Sequence, residues 1–438
     1  MKTVRLGLLG CGTVGGGVVR LIRENASVLA TRVGAPLEIA KVLVRDPNKD
    51  RVPGLERDRI TTDAAAVLDD PSIDVVVEVL GGVEPAKGYV ERAIDSGRSV
   101  VTANKMLLAV HGPELVERAE KAGVDLAFEA SVGGGIPVIR TLREALTSDS
   151  VTRLCGIVNG TSNYILTRMR QDGMPFATAL REAQDKGYAE ADPGLDVDGG
   201  DAAHKLVVLA MLAFGARVPH EAVYTEGIRD IEPIDHEFAA RFGYTVKHLA
   251  IGQVREVHGK KSVELRVHPA LLPAHTTLAN VNGVLNAILL EGRALGPCLL
   301  SGRGAGDLPT AVSVVADVVD VAGARLSGAG GRMTRSVRLA ETHLAPIDDV
   351  ECAYYLRFQV FDRPGVLAHI AGALAEENVS ILEMVQRGGG DARGEPVQVV
   401  MMTHVAREGA LRRALAAAAK GGDYIAKPTH VLRVAPLA

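Results

Sequence analysis

The sequence predicts an α/β protein in three parts: a doubly wound parallel sheet at the N-terminus, an α+β domain in the middle and a βαββαβ unit at the C-terminus. Three observations predict it. The first third alternates short apolar runs with helix-period segments, a glycine-rich turn follows the very first run, and the last stretch of about eighty residues reads strand, helix, strand, strand, helix, strand. At 438 residues the chain exceeds one ordinary core, and a hydrophobic share of 47% against a charged share of 23% is the balance of a globular protein.

Composition narrows the function classes. A net charge of −4 recruits neither nucleic acid nor an anionic membrane, so a small-molecule partner is expected. The four cysteines, Cys11, Cys155, Cys298 and Cys352, lack the paired spacing of a zinc site or a disulfide framework. Reduced thiols in the cytoplasm are the expectation. "MKTVRLGLLGCG" runs straight into a strand and leaves no room for a signal peptide, and no apolar run is long enough to span a bilayer.

Strand one is "TVRLGLLG", and the turn after it is Gly10-Cys11-Gly12-Thr13-Val14-Gly15, leading into the helical "GGVVRLIRENASVLA". This is G-x-G-x-x-G between a strand and a helix. The first glycine makes the tight turn, the second lets a pyrophosphate approach the backbone, the third packs helix on strand, and the helix N-terminus attracts the phosphates. The pattern predicts a Rossmann-type dinucleotide site. Strand two, "LEIAKVLVRD", ends in Arg45-Asp46. An arginine there suits the 2′-phosphate of NADP and an acid the 2′-hydroxyl of NAD, so Arg45 tilts the expectation towards NADP while Asp46 keeps NAD open.

Further strands "DVVVEVL" and "SVVTAN" follow, with helical stretches between them. "VVTANK" puts Thr102, Asn104 and Lys105 at the carboxyl edge of the sheet, where ligands of such folds sit. "FEASVGGGIP" is a strand and a glycine-rich bend; its spacing alone favours a plain turn over a cation site. In "GIVNGTSNYIL" a helix starts at Gly160, Thr161, Ser162 and Asn163, an ordinary cap that also offers amides and hydroxyls to an anion.

"GYAEADPGLDVDGGDAAHKL" then brings Glu190, Asp192, Asp196, Asp198 and Asp201 to the start of an apolar helix. Asp201 and Lys205 stand four apart on one helical face. An exposed ion pair is the plain alternative. A lysine drawn into an apolar setting and held charged by carboxylates is instead a proton donor poised for an oxyanion.

Six segments, "GLLGCGTVGGGVV", "VVTANK", "FEASVGGGIP", "GIVNGTSNYIL", "GYAEADPGLDVDGGDAAHKL" and "SGRGAGDLPTA", resemble in that order the homoserine dehydrogenase family over about three quarters of the chain. The resemblance implies reversible NAD(P)H-dependent reduction of L-aspartate 4-semialdehyde to L-homoserine. Lys205 falls on the lysine that protonates the aldehyde oxygen, Glu190 and Asp201 on substrate-holding carboxylates, Asp196 on another acid of the pocket, and Lys105 on the lysine between cofactor and substrate. Tyr188, Gly160 and Thr161 belong with the substrate. Gly187 and Gly306 match cofactor-contacting glycines, with Thr102 on the same side. Glu129, Val132, Gly134 and Ile136 match positions around a sodium ion, which restores the cation reading of the bend. Val83 in "GGVEPA" and the extra glycine in "DVDGGD" depart from the family pattern without touching an assigned role.

"GAGDLPTAVSVVADVVDVAGA" reads as a helix returning to the nucleotide domain, and "LSGAGGRMTRSVRL" with "ETHLAPIDDVE" as loop and linker. The C-terminal segment beginning at "CAYYLRFQVFDRPGVLAHIAGALAEENVSILEMVQRG" resembles an ACT domain, a ferredoxin-like unit. Asp362, Gly365, Val366 and Leu367 at its first strand-to-helix turn, and Asn378 before its second strand, are the candidate effector residues, with L-threonine the expected effector. The domains expected are 1–130 for the dinucleotide, completed by about 305–325; 131–304 for substrate and dimerisation; 326–350 as linker; and 351–438 as the ACT unit. A homodimer or homotetramer is expected.

Overall fold

The computed structural model describes residues 3–257, 260–334, 337–388, 396–420 and 424–435. Its N-terminal sheet contains β1 (Val4–Leu9), β2 (Leu37–Leu43), β3 (Ile60–Thr61), β4 (Val75–Glu78), β5 (Ser99–Thr102) and β6 (Leu126–Ala127). The spatial order is β3-β2-β1-β4-β5-β6, with every neighbouring pair parallel. Strands buried on both faces read as unbroken apolar runs, and all four residues of β4 and of β5 are buried. The chain order reverses between β1 and β4, so the ligand crevice of such a sheet opens above their carboxyl ends.

The helix Asp307–Leu326 returns to this sheet, as its sequence suggests. Its Ala311, Val314 and Val318 share a core with Val4, Leu6 and Leu8 of β1 and with Val18 and Ile22 of the helix Thr13–Glu24. A Cβ on Gly17 would lie 2.8 Å from the Asp307 carbonyl oxygen, so this crossing needs glycine.

The middle domain is built on a second, largely antiparallel sheet with Val151–Ile157, Tyr244–Val257, Lys260–Pro273, Leu285–Gly292 and Gly296–Arg303. The C-terminal unit has the expected order: strand Tyr354–Phe361, helix Val366–Glu376, strands Ile381–Arg387 and Pro396–Thr403, helix Glu408–Lys420 and strand Ile425–Val434. It is joined to the middle domain. The last strand pairs with Tyr354–Phe361 on one side and, through Ala270↔Arg433 and Leu271↔Val434, with Lys260–Pro273 on the other.

The segment 326–350, expected to be a linker, makes contacts along its course. Asp125 accepts the amides of Gly331 and Met333 at 2.9 Å, Ala340–Glu341 pairs with Ala216–Arg217, and His343–Leu344 pairs with Ser262–Val263. Its glycines and polar residues suit a coil, but coil backbone still seeks partners where it crosses a folded surface. Among the described residues, no helix is long and apolar enough to cross a membrane.

Candidate active site

Three helix starts converge beside the carboxyl ends of the N-terminal sheet. Asn104 caps the first, its Oδ1 accepting the Leu107 amide at 3.1 Å, which makes Lys105 the opening residue of the helix Lys105–Ala122. Asn159 caps the second, Gly160–Asp172, through the Ser162 amide at 2.8 Å. The third, Gly200–Phe214, starts from Gly199, whose φ of 91° is glycine's territory, and carries Asp201 and Lys205 on its first two turns.

These starts meet on Asp201. Its Oδ1 receives Lys105 Nζ at 2.7 Å, and its Oδ2 receives Lys205 Nζ at 2.7 Å and Asn159 Nδ2 at 2.8 Å. Lys205 Nζ also donates to the Val158 carbonyl at 2.6 Å. The Asp201 and Lys205 side chains are 4% and 10% exposed, against 37% for Lys105, so the plain exposed ion pair is not what forms. Burial pushes the Lys205 ammonium below its ordinary value, with Asp201 opposing. Burial also acts against the Lys105 charge, but Asp201, Asp196 and Glu190 outweigh it and hold that ammonium above its ordinary value. Asp201 is itself held well below the carboxylate range, because its two lysines overcome the cost of burial.

The acidic loop wraps this centre. Asp196 is half-buried and its Oδ1 accepts Asn159 Nδ2 at 2.7 Å. Gly187, Tyr188 and Glu190 are exposed along the rim, the Tyr188 carbonyl accepting the Thr161 hydroxyl at 2.7 Å. Gly160 faces the Val284 carbonyl, 2.9 Å from where a Cβ would stand. The opening of the Gly160 helix and the charged ends of Lys105 and Lys205 make a place for an anion next to carboxylates that suit a cation.

On the dinucleotide side, Gly10 has φ 100°, and a Cβ on Gly15 would fall 2.5 Å from the Gly10 oxygen. A Cβ on Gly12 would meet nothing within 4 Å, so the backbone there faces open space, the cradle that a pyrophosphate fills. Thr13 and Val14 open the following helix. Arg45 and Asp46 are both exposed beyond β2. Gly306, at φ 122° and ψ 163°, precedes the helix Asp307–Leu326. Thr102 is fully buried, and its hydroxyl donates to Glu78 at 2.5 Å and accepts the Asn104 amide at 3.0 Å.

The bend at the proposed cation site is buried at Glu129, Val132, Gly134 and Ile136. Glu129 accepts the amides of Ile139 at 2.9 Å and Arg140 at 2.7 Å, and the Gly134 carbonyl accepts the Ser313 hydroxyl at 2.7 Å. In the C-terminal unit, Asp362, Gly365, Val366 and Leu367 line a cavity of about 390 Å³ with Gln386 and Val399. Asn378, at φ 58°, forms the exposed turn after the neighbouring helix and is not part of that lining.

Three residues come from structure alone. Asn159 ties two acids and a helix cap together. Glu78, buried at the end of β4 with its carboxyl pushed upward by burial, receives the Thr102 hydroxyl and the Leu80 amide at 2.8 Å. Arg51 donates to the Cys11 carbonyl in the glycine turn at 2.9 Å, beside the end of β2. Asn159 stood inside a quoted motif, but nothing in its spacing points at Asp196 or Asp201.

A dinucleotide turn facing a carboxylate that binds two lysines defines an oxidoreductase in which a nicotinamide meets a small polar substrate. Comparison with known proteins gives the family. The family described as homoserine dehydrogenase matches residues 137–319, its NAD-binding domain matches 10–129, and the ACT domain matches 354–420. The homoserine dehydrogenase of Pseudomonas aeruginosa is 44% identical over 421 residues, covering 95% of each chain; that of Bacillus subtilis is 43% identical over 407 residues, covering 92% of each. A solved homoserine dehydrogenase from Thiobacillus denitrificans has a TM-score of 0.92 at 43% identity over 99% of both chains. A hyperthermophilic archaeal homoserine dehydrogenase in complex with NADPH has a TM-score of 0.61 at 27% identity, over 73% of this chain and 97% of its own. The chain belongs to the homoserine dehydrogenase family.

Proposed function

We propose that the chain interconverts L-aspartate 4-semialdehyde and L-homoserine with NADPH or NADH, serving threonine, methionine and isoleucine biosynthesis in the cytoplasm, with Lys205 as proton donor. The observation that carries this reading is Asp201 held between two lysines whose proton affinities diverge. Where neighbouring groups are pushed apart in this way, the one with lowered affinity is the proton donor and the other stays charged. Lys205 therefore gives its proton to the aldehyde oxygen, and Lys105 remains an ammonium for an anionic group.

The nicotinamide, when bound, supplies the hydride. The chain's own groups do the rest. Glu190 and Asp196 draw the substrate's α-ammonium, and Asp201 contributes by fixing both lysines. The amides opening the Gly160–Asp172 helix, with Thr161, receive the α-carboxylate. Negative charge developing on the aldehyde oxygen is worth most beside an ammonium in a site shielded from water. The cofactor rests on Gly10, Gly12, Thr13, Val14 and Gly15, with Arg45, Lys105, Gly187 and Gly306 around it; Thr102, fully buried, acts through Asn104 rather than by contact.

A sodium ion at Glu129, Val132, Gly134 and Ile136 belongs to the same reading, supported by the burial of the bend and by its oxygen donors. The cavity at Asp362–Leu367 suits a small amino acid, and L-threonine acting there as a feedback effector is the regulation we assign, in a homodimer or homotetramer.

Purified protein with L-homoserine and either NADP or NAD, followed by absorbance of the reduced nicotinamide, tests the reading. Turnover is expected, and titrating both cofactors ranks them. No turnover with either would replace the enzyme with a catalytically silent sensor of nucleotide and amino acid.

A further inference from the structure

The seam between the C-terminal unit and the middle domain is charged and centred on a buried arginine. Arg433 is 2% exposed, in the strand shared by the two parts. Its Nε and Nη2 donate to Glu408 at 2.8 and 2.6 Å, and its Nη1 and Nη2 to Glu226 at 2.8 and 3.1 Å. The guanidinium also lies 5.2 Å from the centre of the Tyr224 ring. Glu408 opens a helix of the C-terminal unit, while Tyr224 and Glu226 belong to the middle domain.

Glu226 stands one residue from a contact with no slack. The Ile228 amide donates to the Val197 carbonyl at 2.8 Å. A Cβ on Gly227 would fall 2.5 Å from that oxygen and 2.7 Å from Asp198 Cα; one on Gly199 would fall 2.8 Å from Thr225 Cγ2. The turn at Val197–Gly199 is thus where the 224–228 segment presses on the acidic loop. Asp196 lies just before this turn and Asp201 just after it.

We propose that Glu226 and Arg433 are positioning residues for the acidic loop: their ion pair pins the 224–228 segment against Val197–Gly199, so the C-terminal unit sets where Asp196 and Asp201 stand. The effect on substrate rests on the function proposed above; the mechanical link does not. A bidentate guanidinium between two carboxylates fixes direction as well as distance, which a lysine does less well.

Full-length Glu226→Gln, Arg433→Lys and Arg433→Met test it by two readouts. In steady-state assays, Glu226→Gln and Arg433→Met are expected to raise KM for L-homoserine about tenfold, the size of an ordinary coupling between sites. KM for the cofactor should hold and Arg433→Lys should recover part of the loss. In hydrogen exchange, the amides of Ile228 and of residues 197–203 should open faster in Glu226→Gln, while the helix Thr13–Glu24 keeps wild-type rates. Glu226→Gln keeps the side chain's shape, so it decides the matter even if Arg433→Met, which strands the buried Glu408 and the half-buried Glu226, fails to fold. Unchanged exchange at 197–203 overturns the proposal, as does a cofactor KM rising in step with that for L-homoserine. Altered exchange in an enzyme that does not turn over L-homoserine would keep the link and remove the substrate.

Discussion

Lys105 and Lys205 occupy opposite oxygens of the same carboxylate, each 2.7 Å from Asp201. Two ammonium groups so close repel, and the buried acid between them offsets that repulsion, with the Val158 carbonyl holding Lys205 as well. They titrate as a coupled set with Asp201, so changing any one member changes the proton affinity of the others.

Lys205→Ala is expected to lower kcat by ~10²–10⁴, the usual contribution of a general acid, with cofactor affinity near wild type. Steady-state rates and cofactor titration measure both. Turnover within about tenfold of wild type would move the proton to another donor.

Asp201→Asn should shift the pH profile of aldehyde reduction. Lys205 must begin protonated in that direction, so the rate falls as pH rises through its pKa. The Asp201 charge raises that pKa against burial. Without the charge the falling limb moves to lower pH, and a pH–rate series that leaves it in place would refute the assignment.

Lys247 is 1% exposed, and burial pushes its ammonium down to about 7 from 10.5. Its partners are neutral oxygens of Val281, Asn282 and Asn163, at 2.5, 3.0 and 3.2 Å. Between those two values the unfolded chain holds more protons than the folded one, so this group's stability contribution grows as pH rises and is lost as pH falls through about 7. The melting temperature of wild type minus that of Lys247→Met should increase from pH ~7 to ~9.5. A flat difference would contradict it.

Asp235 is fully buried in the middle domain and accepts Arg357 Nε at 2.7 Å, Arg357 Nη2 at 3.2 Å and the Tyr355 hydroxyl at 3.0 Å, both donors belonging to the C-terminal unit. Asp235→Ala leaves the buried Arg357 guanidinium with only the exposed Glu232, at 3.3 Å, as a carboxylate partner and should cost about 3–5 kcal/mol in denaturant unfolding. A loss under about 1 kcal/mol would mean that water reaches the arginine.

The architecture was legible because the features that set it are local. Apolar runs of strand length, a glycine turn fixed by its own backbone angles and a periodic C-terminal pattern can each be read within a few residues. Lys205 and Asp201 were legible for the same reason, being one helical turn apart. Asn159 reaches Asp196 and Asp201 from 37 and 42 positions away, and Arg433 reaches Glu226 from 207. Such pairings follow from how the sheets pack, and no periodicity records them. The partners of the 326–350 segment are equally invisible to periodicity, since they lie in Asp125, Ala216–Arg217 and Ser262–Val263.

Among the described residues, the strand Lys260–Pro273 has one flank covered by short patches, from Tyr224–Thr225, His343–Leu344 and the end of the final strand. Trimming the protein before residue 351 would strip the last of these, bare the backbone of Ala270 and Leu271, and take from Asp235 and Glu226 their arginine partners. The bared flank is a template on which a second molecule can add a strand. Such a fragment would announce itself first by clumping, before any assay could ask whether it still answers to an effector.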